Sequence, residues 1–357
     1  MIRRPAMLAA GAAVALALPA AAQAATKTVD MGTPLKSQKQ LSGAYGADVN
    51  DFFPHGVTIH AGDSVRFVPT GFHNVDLPAK GGKLTPLLAT SNPVSGAVDS
   101  AGAPFWFNGA PNLGFNPALV TGSLGKKVTY TGAKGVQSGL PLSNRPKPMT
   151  VKFAKAGTYT YYCDVHTGMT GRVRVLAKSK RIPSAKADKK TVAAQVARAV
   201  RLAKSLQTPT LPANTVTVGN AGPHGVEVFK FLPQSLTVPV GATVKFMMSP
   251  KTYEIHTATA GPGNPESEPN SYLGTLAKSF EAPVINPAAV YASDPPTAGP
   301  AKLTPTLHGN GFWNSGVLDV LSSTQPPSSS SVTFAAAGTY KLYCLVHPFM
   351  VGTVVVQ

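Results

Sequence analysis

The chain has 357 residues, 43% of them hydrophobic, and a formal net charge of +17 from 32 Lys and Arg against 15 Asp and Glu. Such a charge can attract acidic proteins, anionic cell-surface polymers or nucleic acid, but no nucleic-acid-binding motif accompanies it, so we expect no nucleic-acid partner. No apolar run after the N-terminal region is long enough to span a bilayer, which excludes a transmembrane segment there.

Residues 1–24 have the pattern of a secretory signal peptide. Arg3 and Arg4 precede an apolar run over residues 7–18, and the small-residue pattern Ala22-Gln23-Ala24 follows it. A membrane anchor would need about 20 apolar residues, and this run is shorter. We therefore expect an exported protein that is periplasmic, on the cell surface or extracellular.

Two blocks of sequence occur twice along the remaining chain. GVTIHAGDSVRF at residues 56–67 matches SLTVPVGATVKF at 235–246, and VKFAKAGTYTYYC at 151–163 matches VTFAAAGTYKLYC at 332–344. Repeated blocks at a nearly constant offset indicate two copies of one domain. We assign the first domain to residues 25–178 and the second to residues 210–357, each of ordinary domain size.

Both copies have the pattern of β-strands. Apolar and polar residues alternate at 65–67, 159–162 and 172–175, and at the matching positions 243–247, 340–343 and 353–356. Alternation of β-branched and aromatic residues between Gly and Pro is typical of half-buried strands. The sequence therefore predicts an all-β fold of two tandem β-sandwiches.

Residues 179–209 form a basic linker between the two predicted domains. Ser184 can cap a helix, and Val192, Val196, Val200 and Ala203 follow at helical spacing. The segment is either a solvated linker helix with one packed stripe or a contact surface for an acidic partner or the cell surface.

Long tracts rich in Gly, Pro, Ser and Asn interrupt both copies, at residues 79–148 and 261–331. Tracts of this length are usually functional coverings or flexible excursions. Because Trp106, Phe107, Phe312 and Trp313 lie within them, we expect them to pack partly over or beside the metal-binding ends of the domains.

Each copy carries the same set of four possible metal ligands. The first set is His73, Cys163, His166 and Met169, and the second is His256, Cys344, His347 and Met350. One thiolate, two imidazoles and a weak thioether are the ligands of a blue-copper electron-transfer site. The sequence thus predicts two type 1 copper sites. A Cys163–Cys344 disulfide is disfavoured, because equivalent positions in separate domains rarely approach within about 7 Å.

The ligand loops resemble those of the cupredoxins, the family of plastocyanin, azurin and amicyanin. CLVHPFMVGTVVV, from Cys344 onward, is similar to the short amicyanin loop, and His73-Asn74 resembles the His-Asn element of the family. The resemblance implies Greek-key sandwiches and a hydrogen-bonding role for Asn74. It also implies that redox proteins dock near the exposed edge of His166 or His347.

The two copies depart from each other near the predicted metal. Thr257 occupies the position of Asn74, so a hydroxyl replaces the amide or the brace is absent. Thr167-Gly168 replaces Pro348-Phe349 between the second His and the Met. The two sites are therefore expected to differ in reduction potential.

Two other functions compete with the electron carrier. A multicopper oxidase or a nitrite-reductase-like enzyme places His directly before the blue-copper Cys, where this chain has Tyr162 and Tyr343, and the chain contains no His-x-His pair. Copper storage or delivery favours Met-rich or His-rich clusters, whereas only eight Met occur. The remaining His are expected at the surface: His55, His60, His224 and His308. We therefore prefer an electron carrier without substrate chemistry.

Overall fold

The computed structural model describes residues 24–93, 97–106, 111–282, 284–295, 298–320 and 327–357. The predicted signal peptide, apart from Ala24, lies outside the described residues, as does Phe107. Within these ranges, no helix combines the length and the apolar character that crossing a bilayer requires.

The first half of the chain is built from short strands. In chain order they are β1 (Thr26–Met31), β2 (Ala47–Val49), β3 (Phe52–Phe53), β4 (Gly56–His60), β5 (Ser64–Pro69), β6 (Asp76–Leu77), β7 (Leu88–Pro93), β8 (Pro111–Phe115), β9 (Lys127–Tyr130), β10 (Val136–Gln137), β11 (Met149–Phe153), β12 (Gly157–Tyr162) and β13 (Thr170–Leu176). Two five-stranded sheets, in the orders β3-β1-β5-β11-β9 and β10-β6-β12-β13-β4, enclose one core. We call this pair of sheets the first unit.

The second half repeats this construction. Its strands are β14 (Thr215–Ala221), β15 (Val226–Leu232), β16 (Ser235–Val238), β17 (Thr243–Met247), β18 (Thr259–Ala260), β19 (Val284–Ile285), β20 (Ala301–Leu303), β21 (Trp313–Asn314), β22 (Ser329–Phe334), β23 (Gly338–Tyr343) and β24 (Val351–Val356). One sheet has the order β2-β15-β14-β17-β22-β20, and the facing sheet has the order β16-β24-β23-β18-β21. We call this pair the second unit; the prediction of an all-β fold is confirmed.

The cores of both units follow from the alternation read in the sequence. In β5, Val65 and Phe67 are fully buried while Arg66 between them is exposed. The ring of Tyr161 is also fully buried and meets the edges of Phe52 and Phe67. Side chains of a strand point alternately to opposite faces, so one face of each sheet supplies the core and the other meets solvent.

Strand β2 joins the two units, although it lies within the range predicted for the first domain. It pairs antiparallel with β15 of the second unit, with Asp48 opposite Glu227. These two residues occupy equivalent positions of the repeat at the offset of 179 (227 − 48). Val49 then pairs with Val226 and Ala47 with Val228, which is the reciprocal pattern of a two-fold interface. The units therefore meet as two subunits of a symmetric dimer would, within one chain.

A second pairing of equivalent segments continues this interface. β19 pairs antiparallel with β8, with Val284 opposite Gly114, and β7 completes the three-stranded sheet. Each of these segments leads into a short helix, because Asn116 and Asn286 accept a hydrogen bond from the amide two residues later and a proline follows each of them. The helices are α2 (Pro117–Val120) and α5 (Pro287–Val290).

The predicted linker helix is present as α3 (Ala185–Ser205). Its N-terminus is capped by Ser184, whose hydroxyl accepts a hydrogen bond from the Ala187 amide. Val196, Ala199 and Ala203 are buried, and they pack with apolar residues of β2 and β15. The helix therefore covers the strand pair that joins the units instead of spanning solvent between them.

The long tracts are partly folded against the second unit, in agreement with the expectation that they pack partly over or beside the predicted metal-binding ends. A separate apolar cluster contains helix α4 (Tyr272–Lys278), helix α5, Phe105 and Phe312, and it includes Tyr343 and Leu345 on either side of Cys344. Further helical turns are α1 (Leu35–Gln38), a π-helical turn at Lys39–Gly43 and 3-10 turns at Ser279–Glu281 and Leu307–Gly309.

A histidine links the two tracts. His308 Nδ1 lies 3.1 Å from Asp99 Oδ2, and its Nε2 lies 3.3 Å from Asp294 Oδ1. The hydrogen bond to Asp294 raises the pKa of His308, burial opposes the rise, and Asp99 adds to it. His308 is therefore stabilised in its charged form by one acidic residue from each tract.

Replacing His308 with Gln should reduce stability in a pH-dependent manner. A raised folded-state pKa gives a contribution that is complete below the unfolded value of about 6.5 and is lost as pH rises through the folded value. We expect the variant to lose about 1 kcal/mol of unfolding free energy at pH 5.5, and much less at high pH. Denaturant unfolding at both pH values measures this. His224→Gln, in an exposed loop, is the control, and a pH-independent loss in H308Q would contradict the assignment.

Candidate metal centres

The Cys, His and Met of each unit lie on one short loop between two strands. In the first unit this loop connects β12 to β13, and the Cys163 amide donates to the Met169 carbonyl at 3.0 Å. In the second unit it connects β23 to β24, and the Cys344 amide donates to the Met350 carbonyl at 3.2 Å. Both loops are thus closed by the same backbone hydrogen bond and present their side chains in the same order.

The remaining histidine of the first group lies on the segment between β5 and β6. His73 Nδ1 lies 2.8 Å from His166 Nδ1, and Cys163 Sγ lies 4.0 Å from the former atom and 3.6 Å from the latter. All three side chains are buried. Residues 90 positions apart (163 − 73) therefore form one compact group of a thiol and two imidazole nitrogens.

The second unit repeats this geometry. Cys344 Sγ lies 3.6 Å from His256 Nδ1 and 3.7 Å from His347 Nδ1, and the two nitrogens are 3.1 Å apart. His256 and Cys344 are fully buried, whereas the His347 side chain retains 18% of its exposure. Both groups use the same ring nitrogen of each histidine, so the outer Nε2 atoms point away from the sulfur.

These groups have the dimensions of metal sites. Metal–nitrogen and metal–thiolate bonds of about 2.0–2.3 Å place the ligand atoms of one ion about 3–4 Å apart, as found here. In each group the three ligand atoms lie within 4.8 Å of one another. A thiolate and two imidazoles are ligands that suit copper. The residues present therefore fit the predicted ion, and each unit supplies one complete group.

The thiol of Cys344 is prepared for metal binding. Burial alone would raise its pKa, but hydrogen bonds and positive charge from His256 and His347 outweigh burial and hold the pKa well below its ordinary value. The hydrogen bond between His256 and Cys344, together with the nearby Glu227, raises the pKa of His256 to about 10 against the effect of burial. Since the thiolate is the form that binds metals, the polypeptide favours the required state of the sulfur, and a bound metal would displace the proton from His256 Nδ1.

Both predicted methionine ligands are buried beside their cysteines. Met169 and Met350 each retain 1% exposure, and each belongs to the same apolar cluster as the Cys of its unit. Their role as axial ligands stays a prediction.

Asn74 and Thr257 brace the two loops in related ways. The Asn74 amide oxygen accepts a hydrogen bond from the Asp164 amide at 2.7 Å, and its nitrogen donates to the Asp164 carboxyl at 2.6 Å. In the second unit the Thr257 hydroxyl accepts from the Leu345 amide at 2.8 Å. The Thr257 hydroxyl thus accepts a hydrogen bond from the ligand loop as the Asn74 amide oxygen does. The additional bond to a carboxyl is found in the first unit. Burial raises the pKa of that carboxyl to about 7, although the bond from Asn74 opposes the rise.

Replacing Asn74 with Ala should destabilise the first unit. The buried Asp164 amide would lose its acceptor, which costs about 1–3 kcal/mol of unfolding free energy. Asn74→Thr should recover part of this loss, because a threonine hydroxyl provides the equivalent bond in the second unit. Denaturant unfolding of the metal-free protein measures both values. Equal destabilisation by Ala and Thr would show that the backbone brace contributes nothing.

Each unit has a further brace that was not predicted from the sequence. The Val75 amide donates to the Ser138 hydroxyl, and the Ala258 amide donates to the Ser315 hydroxyl, both at 2.8 Å. These serines lie in the long tracts, and a glycine follows each of them. The Ser-Gly pair that occurs in both tracts was the sequence signal that could have indicated this brace. The tracts therefore hold the strand that leads away from the first histidine of each site.

The outer edges of two histidines meet across the interface between the units. His166 Nε2 lies 3.1 Å from Glu254 Oε1, and His347 Nε2 lies 3.6 Å from Glu254 Oε2. Glu254 retains 5% exposure, and Asn50 of the first unit donates to its Oε1 at 2.8 Å. Burial would raise the pKa of Glu254, but His166 and then His347 hold it far below its ordinary value. The same carboxylate raises the pKa of His166 to about 10 against the effect of burial.

Sequence reasoning missed Glu254 because only the second copy has it. It stands two residues before His256, and the residue two before His73 is Gly71. A single acidic residue beside a predicted ligand was a weak signal without knowledge of the interface.

His256 also faces a carboxylate, but only within its own unit. Its Nε2 lies 3.8 Å from Glu227 Oε1, and in the described part of the chain neither of these buried atoms has a hydrogen-bond partner. The other Glu227 oxygen accepts from Thr252 at 2.7 Å. Burial raises the pKa of Glu227, and His256 opposes the rise.

A cleft of about 800 Å³ lies between the units beside these histidines. Its wall is largely apolar and includes Phe72, Phe229 and Phe349, together with His166 and His347. Phe349 is 56% exposed, whereas His166 retains only 6%. Docking of a redox protein near His166 or His347 stays a prediction, and any such partner would meet the His347 side of the cleft more readily.

The other histidines do not join either group. His55 and His224 are exposed, while His60 and His308 are partly covered. His60 Nε2 lies 2.7 Å from the Lys180 carbonyl, and His55 Nδ1 lies 2.8 Å from Asp51 Oδ1. Across the described residues, the two His-Cys-His groups are the candidates for holding a metal ion. Cys163 and Cys344 are both free thiols.

Comparison with known proteins identifies similar solved structures. No protein-family model matches the chain, and no curated protein matches it. Similar structures include amicyanin from Paracoccus versutus, with 18% identity, a TM-score of 0.22, and coverage of 41% of this chain and 85% of the other. A mutant plastocyanin of fern has 22% identity, a TM-score of 0.21, and coverage of 40% and 99%. A purple cupredoxin from Nitrosopumilus maritimus has 18% identity, a TM-score of 0.20, and coverage of 40% and 98%. Each match thus spans about two fifths of this chain.

Proposed function

We propose that the chain is an electron-transfer protein with one type 1 copper site in each unit. The observation that carries the proposal is the convergence, twice in one chain, of a buried cysteine sulfur and two imidazole Nδ1 atoms. Bound copper would supply a centre that accepts and gives up one electron. His73, Cys163, His166 and Met169 would hold it in the first unit, and the second set, His256, Cys344, His347 and Met350, in the other.

The polypeptide around each group favours this function. Hydrogen bonds from the loop backbone, Asn74 or Thr257, and the Ser138 or Ser315 brace restrict movement of the ligands. Ligands that are held in place change position little when the charge of the site changes, which keeps the reorganisation small. Burial also excludes water from the sulfur, so that it is protected from oxidation.

An oxidase or a nitrite-reductase-like enzyme is the second candidate. It would require additional copper ligands next to the type 1 site. Tyr162 and Tyr343 precede the two cysteines, and the described residues offer no third group of metal-binding side chains. Copper storage or delivery is the third candidate, and the burial of both groups disfavours it because a storage site must exchange its metal readily. We therefore propose a carrier and not an enzyme.

Copper content and spectra of the purified protein test the proposal. Two copper ions per chain, with an intense visible thiolate charge-transfer band and type 1 electron-spin spectra, are expected. A colourless protein after loading with Cu(II) would refute the proposal. A normal type 2 copper signal together with turnover of oxygen or nitrite would instead support the enzyme.

The cellular setting of this function is proposed from the sequence. We propose export, because the N-terminal pattern is that of a signal peptide, and redox proteins as partners. The basic face of α3 would contact an acidic partner or the cell surface. Fractionation of the producing cells tests export, and salt-dependent binding of an acidic polymer tests the basic face.

A further inference from the structure

We propose that Glu254 joins the two metal sites into one coupled unit by positioning His166 and His347 on opposite oxygens of a single buried carboxylate. This inference rests on the proposed function and extends it. The chain would pass an electron between its own two sites, in addition to exchanging electrons with other molecules.

The interface between the units is symmetric. β2 and β15 pair through equivalent residues, with Asp48 opposite Glu227. An interface of this kind brings equivalent parts of two similar units face to face. The loops that carry His166 and His347 are equivalent parts, and both line the same cleft. The facing arrangement is therefore a consequence of the strand pairing and does not depend on the two loops alone.

The Glu254 carboxylate bridges the two imidazole edges. Both histidines direct Nδ1 to the sulfur of their own group, so Nε2 is the atom that carries the proton when a metal is bound. Glu254 Oε1 lies 3.1 Å from His166 Nε2, and Oε2 lies 3.6 Å from His347 Nε2, an ion-pair contact. Asn50 of the first unit donates a hydrogen bond to Oε1 of the same carboxylate at 2.8 Å. One carboxylate thus lies against the Nε2 edges of both imidazoles.

The difference between the two ligand loops has a structural reason at this interface. Tyr253, next to Glu254, packs against the first loop at Gly168, where a Cβ would lie 2.8 Å from its ring. Gly168 has φ +107°, a conformation that favours glycine. The Thr167-Gly168 pair therefore provides room for the segment of the second unit that carries Glu254. The corresponding Phe349 of the second loop is exposed and lies beside the ring of Phe229.

These contacts place the Glu254 carboxylate between the two imidazole edges. Transfer would move one electron from the site of one unit to the site of the other, which oxidises the first and reduces the second. No bond is made or broken, and no proton is exchanged. Glu254 is a positioning residue here, because it acts on the sites through the histidines.

Glu254→Gln tests the coupling, with Glu227→Gln as the matched control. An amide removes the negative charge next to both sites, and it places an NH₂ group where one of the two carboxylate oxygens faces an Nε2 edge. We expect E254Q to shift the reduction potentials of both sites upward, whereas E227Q, which faces only His256, should shift that of the second site alone. Glu254→Asp keeps the charge and should shift the potentials less than Gln does.

A measurement on the metal-free protein provides an independent readout. The imidazole N–H signals of His166 and His347 should both change in nuclear magnetic resonance spectra of E254Q, and only the His256 signal should change in E227Q. Electron exchange between the sites, followed after reduction with less than one equivalent of reductant, should become slower in E254Q.

Several outcomes would overturn the inference without affecting the proposed function. If E254Q binds two copper ions but shifts only one potential, or if it leaves the exchange rate unchanged, the sites are independent. If the unaltered protein binds no copper, the proposed function itself fails. Unaltered N–H signals for either His in metal-free E254Q would show that the bridge does not exist in solution.

Discussion

A Cys344→Ser variant is expected to bind one copper ion per chain where the unaltered protein binds two, and Cys163→Ser is expected to do the same. The thiolate supplies the charge-transfer band of a type 1 site, and a hydroxyl cannot replace it as a ligand. Each substitution should therefore remove one of the two spectral components completely. Metal analysis and visible spectra of both variants, and of the double variant, measure this.

The two single variants also control for each other. In each of them the site of the other unit remains intact, so loss of the whole visible band from one substitution would contradict two independent ligand groups. Unchanged copper content in either variant would contradict the assignment of that cysteine. Because Ser is close in size to Cys, the apolar cores should persist, and circular dichroism of the metal-free variants checks this.

Gly219→Ala should strongly destabilise the second unit. Gly219 lies at an irregularity of β14, has φ +76°, and a Cβ there would lie 2.5 Å from His256 Nε2 and 2.9 Å from Glu227 Oε1. Left-handed backbone strain costs about 1–2 kcal/mol and overpacking of a filled core adds about 1–3 kcal/mol. We expect a loss of about 2–5 kcal/mol of unfolding free energy, measured by denaturant unfolding, and weaker metal binding at the second site because His256 must move.

Gly241→Ala is the matched control for this prediction. Gly241 has φ +85°, but a Cβ added there would meet open space, with no contact within 4 Å. It should lose only the strain of about 1–2 kcal/mol. The first unit offers the same comparison: a Cβ at Gly32 would lie 2.7 Å from the His73 ring, whereas the surroundings of Gly62 are open. Equal losses for Gly219 and Gly241 would show that contact with the histidine does not matter.

The strand pattern and the ligand groups were predictable from the sequence because both depend on local order. Alternation identified the strands around Phe67 and Tyr161, and the spacing of helical Val residues identified α3. The loop from Cys163 to Met169 is short enough for the chain itself to hold its ligands near one another. His73 was found through the repeat and not through proximity, since it lies 90 positions from Cys163 (163 − 73).

The long tracts were the least predictable part of the fold. Their composition indicated loops, yet Ser138 and Ser315 brace the strands beside the metal groups, and α4 and α5 form an apolar cluster with Phe312. Short strands and four-residue helices have weak periodicity, so their positions depend on tertiary packing. The repeated Asn-Pro-Ala at 116–118 and 286–288 was a usable signal for the helix starts.

Residue type, alternation and repetition along the chain are enough to predict two copies of an all-β unit and two sets of ligands that suit copper. How the copies meet could not be predicted in this way, because it depends on tertiary contacts. Pairing of β2 with β15 depends on backbone hydrogen bonds between distant segments, and it brings His166 and His347 to the two oxygens of Glu254. Such a contact between remote residues leaves no periodic pattern along the chain.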